Sequence, residues 1–266
     1  MTLVKDIDLL LYVPHGDISR ESIDEVFMSF VGPRIFSREL LTRYMLHEAD
    51  RGAFEIAQVC RWELIKHSSE LKVVVQSVNI PRAWCDLNRP WERAVPIALR
   101  SEVYKERYQV QLNEDYALHE RAKRSVHIHT MCGQSPITPW VFTENTTESE
   151  LEQFLDTCYS GDSRLIDLLT HTIDGEIIAD LEFAESVWST YRQAGFWVNQ
   201  NAAYQLIVGY PATELMQNCS SFLIEYPKSL LATEETSHYI DTSQLILDAA
   251  KIERMGKLLA ISILSN

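Results

Sequence analysis

Five consecutive apolar residues, Leu9-Leu10-Leu11-Tyr12-Val13, run straight into Pro14-His15-Gly16. So short and unbroken a run reads as a strand covered on both faces, since a half-buried strand alternates apolar and polar residues. The Pro and Gly stop it and leave a histidine at its carboxyl end. The rest of the chain repeats the theme. Helical patterns are predicted over 19–30, over 37–46 with Ser37 as N-cap and Glu39 in the first turn, and over 53–64. A strand follows over 72–76, then a long amphipathic helix over 101–123 with Val103, Tyr104, Tyr108, Leu112 and Tyr116 on one side. Strand 125–130, helix 148–158 started by Thr146-Thr147, helix 181–193, short strand 195–198, strand 222–224 ending at Glu225, and terminal helix 242–264 complete the pattern. The terminal helix is read with Leu245, Ile246, Ala249, Ile252, Leu258 and Ile261 as its apolar side. Alternation of this kind predicts a single α/β domain over 1–266, with a mostly parallel mixed sheet flanked by helices.

In such sheets ligands gather at the carboxyl ends of strands, where this reading places His15, His129 and Glu225. His127 and His129 share one strand face by the period of two. His47-Glu48-Ala49-Asp50-Arg51 begins like the zinc-protease motif H-E-x-x-H, but Arg51 stands where the second His should be. It is therefore read as a carboxylate-rich turn, with helix capping as its plain role. The most specific segment is Ile80-Pro81-Arg82-Ala83-Trp84-Cys85-Asp86-Leu87-Asn88-Arg89-Pro90, which packs two guanidinium groups, an amide and a carboxylate into one irregular loop. Arginine suits bidentate capture of a carboxylate, with a neighbouring Asp to orient it; the alternative is a loop held by an Asp86–Arg89 salt bridge.

Composition narrows the partners. Lys and Arg number 24 against 38 Asp and Glu, a net charge of −14, which argues against a nucleic-acid partner. No apolar run approaches the roughly 20 residues of a membrane-spanning helix, and the acidic start argues against a secretory leader. Cys60, Cys85, Cys132, Cys158 and Cys219 are odd in number and widely spaced, so they are expected to be reduced thiols in a cytoplasmic protein. Any metal is then held by His and carboxylates.

Several of these segments, taken together, resemble the ordered motifs of the N-formylglutamate amidohydrolase family. They are Val13-Pro14-His15-Gly16, Pro81 through Pro90, His129-Thr130-Met131 and Ile224-Glu225-Tyr226-Pro227-Lys228-Ser229-Leu230. Gly195-Phe196-Trp197-Val198-Asn199-Gln200-Asn201-Ala202-Ala203-Tyr204 is similar to that family's G-x-x-V-x-x-N-x-P-Y stretch. The resemblance implies a zinc carboxypeptidase-like architecture and one catalytic Zn²⁺. Position by position, it implies His15 and His129 as ligands with Asp50 as the carboxylate ligand and Glu48 in reserve. Arg82 would stabilise the oxyanion, Asn88 and Arg89 would hold the substrate carboxylate, and Glu225 would be the general base. Three protein ligands leave a zinc position open for water. The sequence departs from the family where His127 replaces an Asp, Ala203 replaces a Pro, and Gln205-Leu206-Ile207-Val208 replaces a glycine pair.

The expected activity is zinc-dependent hydrolysis of the amide bond of an N-acyl amino acid, N-formylglutamate-like, or of a short peptide with a free carboxylate. A non-catalytic metal or amino-acid binding protein on the same scaffold is the alternative. A barrel amidohydrolase built on His127-x-His129 is disfavoured, because that motif belongs after a first strand and here lies mid-chain. The expected partner is a small-molecule or short-peptide substrate, with no nucleic acid and no membrane, and the oligomeric state is open.

Overall fold

The computed structural model describes residues 4–16, 19–29, 36–78, 80–95, 102–131, 147–157, 165–202, 205–239 and 241–266. In chain order the elements are β1 (Ile7–Val13), α1 (Arg20–Ser29), α2 (Arg38–Glu48), α3 (Ala53–His67), β2 (Val73–Ser77), α4 (Trp91–Ala94), α5 (Glu102–Arg121) and β3 (Ala122–Met131). There follow α6 (Glu148–Thr157), β4 (Ile166–Leu169), α7 (Leu181–Gln193), β5 (Val198–Gln200), α8 (Pro211–Gln217), β6 (Ser220–Pro227), α9 (Lys228–Leu231) and α10 (Ala249–Leu264). The six strands form one sheet in the order β2-β1-β3-β6-β4-β5. β2, β1, β3 and β6 are mutually parallel, β4 runs antiparallel to β6, and β5 runs parallel to β4. The sheet is thus mixed and mostly parallel, with helices on both faces.

The alternation of side chains along the strands sorts the two cores. Leu10 and Tyr12 of β1 join Leu40, Leu41, Tyr44 and Met45 of α2 with Tyr108 of α5. Leu9, Leu11 and Val13, together with Val126, Ile128, Phe222, Ile224 and Tyr226, pack against α3, α7 and α10 on the other side. Helix starts follow their capping residues. The Ser37 side chain accepts the Leu40 N–H. Asp180 accepts that of Phe183, and Thr147 exchanges bonds with Glu150 in a capping box.

Several boundaries differ from the sequence expectation. The 101–123 helix ends at Arg121 and β3 begins at the very next residue, so the strand is ten residues long. On α5, Val103 is exposed, and the deepest positions are the polar Asp115 and His119. The 242–264 helix is two pieces: a 3₁₀ turn over Thr242–Gln244, then extended chain, then α10 capped by Asp248, which accepts the N–H groups of Ala250 and Lys251. Ile246 and Ile261 consequently face solvent, while Met255, Leu259 and Ala260 are buried. The short strand 195–198 lies instead at Val198–Gln200, and β4 and α8 had no counterpart. Phe30, Ser101, Cys132, Thr146 and Cys158 lie outside the described residues.

Gly256 sets the closeness of α10 to α3. A Cβ there would stand 2.6 Å from Val59 Cβ and 2.9 Å from the Ile56 carbonyl. At an open helix position Gly→Ala stabilises by about 1 kcal/mol. Here Gly256→Ala is expected to destabilise instead, and Gly256→Val by about 1–3 kcal/mol through overpacking. Urea denaturation checks this, and a stabilised alanine variant would contradict it.

Candidate metal centre

Three chain segments meet at the carboxyl end of β1. Pro14 turns the chain so that His15 is fully buried, and the His15 carbonyl accepts the Asp50 N–H at 2.9 Å. That bond ties the α2–α3 turn to the strand end. Gly52 makes the turn possible, with φ of +91° in the left-handed region. His129 stands on the neighbouring β3, its ring centroid 5.3 Å from that of His15.

Asp50 Oδ2 lies 3.3 Å from His15 Nδ1 and 2.9 Å from His129 Nδ1. His15 Nδ1 and both Asp50 oxygens are buried and lack a hydrogen-bond partner. Buried polar atoms are almost always bonded, so contact without hydrogen-bond geometry is what lone pairs converging on a cation would leave. The ligand atoms of His15, Asp50 and His129 all lie within 4.8 Å of one another, and this group could bind a metal ion. Glu48, the reserve ligand, stands outside it among the described residues.

Asp86 backs the group. Its Oδ1 lies 3.0 Å from His15 Nε2, which assigns the ring hydrogen to Nε2 and leaves the Nδ1 lone pair facing Asp50. Asp86 also accepts the Asn88 N–H at 3.0 Å, and takes Arg89 Nε at 2.9 Å and Arg82 Nε at 3.4 Å. Arg82 stands 3.8 Å from Asp50 Oδ1 and 4.0 Å from Glu48 Oε2. The 80–90 loop is therefore held by the Asp86–Arg89 ion pair and also delivers both guanidinium groups to the site. Tyr108 fastens its far end by donating to the Arg89 carbonyl at 2.8 Å.

The charges are mutually adjusted. Burial pushes the Asp50 carboxyl up, but the imidazoles of His129 and His15 outweigh it and hold it well below the usual carboxylate range. Burial likewise raises Asp86, and Arg82, His15 and Arg89 overcome it. His15 is depressed by burial and lifted past its ordinary value by Asp86 and Asp50.

Glu225 is not the last residue of its strand, since β6 continues to Pro227. The register nevertheless pairs it with His129 on one side and with Asp167 of β4 on the other. Lys228, three residues after Glu225, is buried and donates to the His47 carbonyl. Asp167 escaped the sequence reading. It is fully buried, and its Oδ2 accepts the Ala202 N–H at 2.9 Å. Its signal was a lone acid inside Leu165-Ile166-Asp167-Leu168-Leu169. His127 shares the His129 face but stands outside the cluster of three, bonded to His119 of α5 at 3.0 Å.

The sequence matches no protein-family model. No curated protein matches it either. Among solved structures, the fold is similar to that of N-formylglutamate amidohydrolase from Ralstonia eutropha JMP134, with a TM-score of 0.55 at 15% sequence identity. The similarity covers 99% of this chain and 95% of that one. At that identity, it is the fold that the two share.

Proposed function

We propose that this chain is a zinc-dependent amidohydrolase of zinc carboxypeptidase-like architecture, cleaving the amide bond of an N-acyl amino acid or short peptide that bears a free carboxylate. The observation that carries the reading is the convergence of His15 Nδ1, the Asp50 carboxylate and His129 without hydrogen-bond geometry, with Asp86 behind His15. The amidohydrolase named above, whose fold this chain shares over nearly its whole length, supports the same reaction class. Two imidazoles and one carboxylate form a three-ligand set of the catalytic zinc type. A bound zinc ion would supply Lewis acidity, polarising the amide carbonyl and lowering the pKa of a water.

The chain's own groups would do the rest. Glu225, in register with His129, would accept a proton and pass it to the leaving nitrogen. Arg82, near both Asp50 and Glu48, would face the developing oxyanion, a role commonly worth a few kcal/mol for one donor. Arg89 and Asn88 would take the substrate carboxylate, with Asp86 orienting the guanidinium. A cytoplasmic setting fits the free thiols of Cys60, Cys85 and Cys219.

The test is a panel of N-acyl amino acids and short acidic peptides, offered to the zinc-loaded and the metal-stripped protein. Hydrolysis only with metal, and only with a free carboxylate, supports the reading; tight binding without hydrolysis replaces it with a non-catalytic binding protein. Arg89→Lys keeps the charge and loses the planar fork, so kcat/KM is expected to fall by about tenfold, ~1.4 kcal/mol. Equal cleavage of substrates with the carboxylate blocked as an amide would remove Arg89 from that role.

A further inference from the structure

Tyr12, Asp115, His119 and His127 are all buried on the face of the sheet that carries His129, and the hydrolysis described above uses none of them. Their hydrogen bonds have a direction. His119 Nδ1 lies 2.7 Å from the Asp115 carbonyl, an acceptor only, so Nδ1 carries the ring hydrogen. Burial pushes His119 down to about 4, so the ring is neutral at pH 7 and its Nε2 is a bare acceptor. His127 Nε2, 3.0 Å away, must then be the donor. A second hydrogen on His127 would make a buried imidazolium, and among the described residues no carboxylate lies within 4.0 Å to pair with it. His127 Nδ1 therefore holds a lone pair, and that atom is buried with no partner.

His129 has the complementary need. With a metal held at Nδ1 beside Asp50, the ring hydrogen of His129 belongs on Nε2, and that atom too is buried with no partner. An orphaned acceptor and an orphaned donor thus stand two residues apart on one face of β3, about 7 Å between their Cα atoms. The two atoms are not in direct hydrogen-bond contact, and a single water closes such a gap. The Tyr12 ring stands edge-on to both His119 and His127 at 5.0 Å, and its hydroxyl donates to Asp115 Oδ2 at 2.7 Å, which keeps the two imidazole planes in place.

We propose that His119 and His127 are positioning residues for the metal centre, an imidazole relay anchored on the Asp115 carbonyl that receives the Nε2–H of His129 at His127 Nδ1. The relay fixes His129 in the tautomer whose Nδ1 lone pair faces Asp50 and His15. This rests on the metal reading above. Outer partners that orient ligating histidines are typically worth 10–100-fold in metal affinity.

The experiment combines zinc titration with long-range ¹H–¹⁵N spectra of labelled protein, which report the nitrogen that carries each ring hydrogen. The expected result is Nδ1–H on His119, Nε2–H on His127 and, with zinc, Nε2–H on His129. His127→Leu should weaken zinc binding by about 10–100-fold. His127→Asn, whose amide oxygen stands near the former Nδ1, should bind zinc close to the parent. Nδ1–H on His127 in the parent spectrum, or a folded leucine variant with parental zinc affinity, overturns the relay. The parent spectrum decides this even if the leucine variant does not fold. A parent protein that takes up no zinc overturns the metal reading and the relay with it, and the parent titration shows that before any variant is made.

Discussion

Glu225→Gln is expected to lower kcat by about 10²–10⁴-fold, the usual contribution of a general acid–base group, while zinc content and substrate KM stay near the parent values. The amide has the shape of the carboxylate and cannot accept the proton. The register that pairs Glu225 with His129 sets it beside the proposed metal ligands on the same face, and only 7% of its surface is exposed. Steady-state kinetics with metal analysis on the same preparation separate loss of the base from loss of the metal. A variant turning over at the parental rate would move the base elsewhere, and Asp167, directly across from Glu225 on β4, would be examined first.

Asp50→Asn is expected to weaken zinc binding by more than the roughly 10–100-fold that loss of an outer partner costs, and to remove activity with it. Among the described residues the Asp50 carboxylate is the one that approaches both imidazoles, and its amide replacement would offer a cation less charge and a weaker ligand. Asp86→Asn forms a graded comparison. It leaves all three ligand groups in place and loosens the His15 ring, so its effect should fall within that 10–100-fold range. Isothermal titration of the metal-free proteins measures both. Parental affinity in Asp50→Asn would remove Asp50 from the ligand set.

The parts legible in the sequence were those decided locally. The run 9–13 falls inside β1, Ser37 caps α2, and Leu181–Gln193 is a helix with the bounds its pattern gives. The parts that were not legible depend on contacts far along the chain. Asp167 interrupts its apolar run, and nothing nearby says that a strand will set it against Glu225 in antiparallel register. Asp86 read as a partner for arginine; its bond to His15 spans 71 positions. Asp115 and His119 fall seven residues after Tyr108 and Leu112, on the same side of the helix. That they meet Tyr12 and His127 there is set by how α5 docks on the sheet. Leu245 to Leu247 continued an apolar pattern in one dimension, whereas the bridge from Leu247 to Ala232 draws that stretch into extended chain.

The place of β3 in the sheet bears on how the protein is made. β1, β2 and β3 all lie within the first 131 residues, but the partner on the other side of β3 is β6, with Arg124 paired to Ser220 across 96 positions. At about 5–20 residues per second, a ribosome takes on the order of 5–20 s to reach β6 after finishing β3. During that interval the strand bearing His127 and His129 presents an unpaired row of N–H and C=O groups, the kind of edge along which chains join one another. The strand left as an edge during synthesis is thus one that lies inside the finished sheet. Faster elongation between residues 131 and 220 should raise the soluble yield.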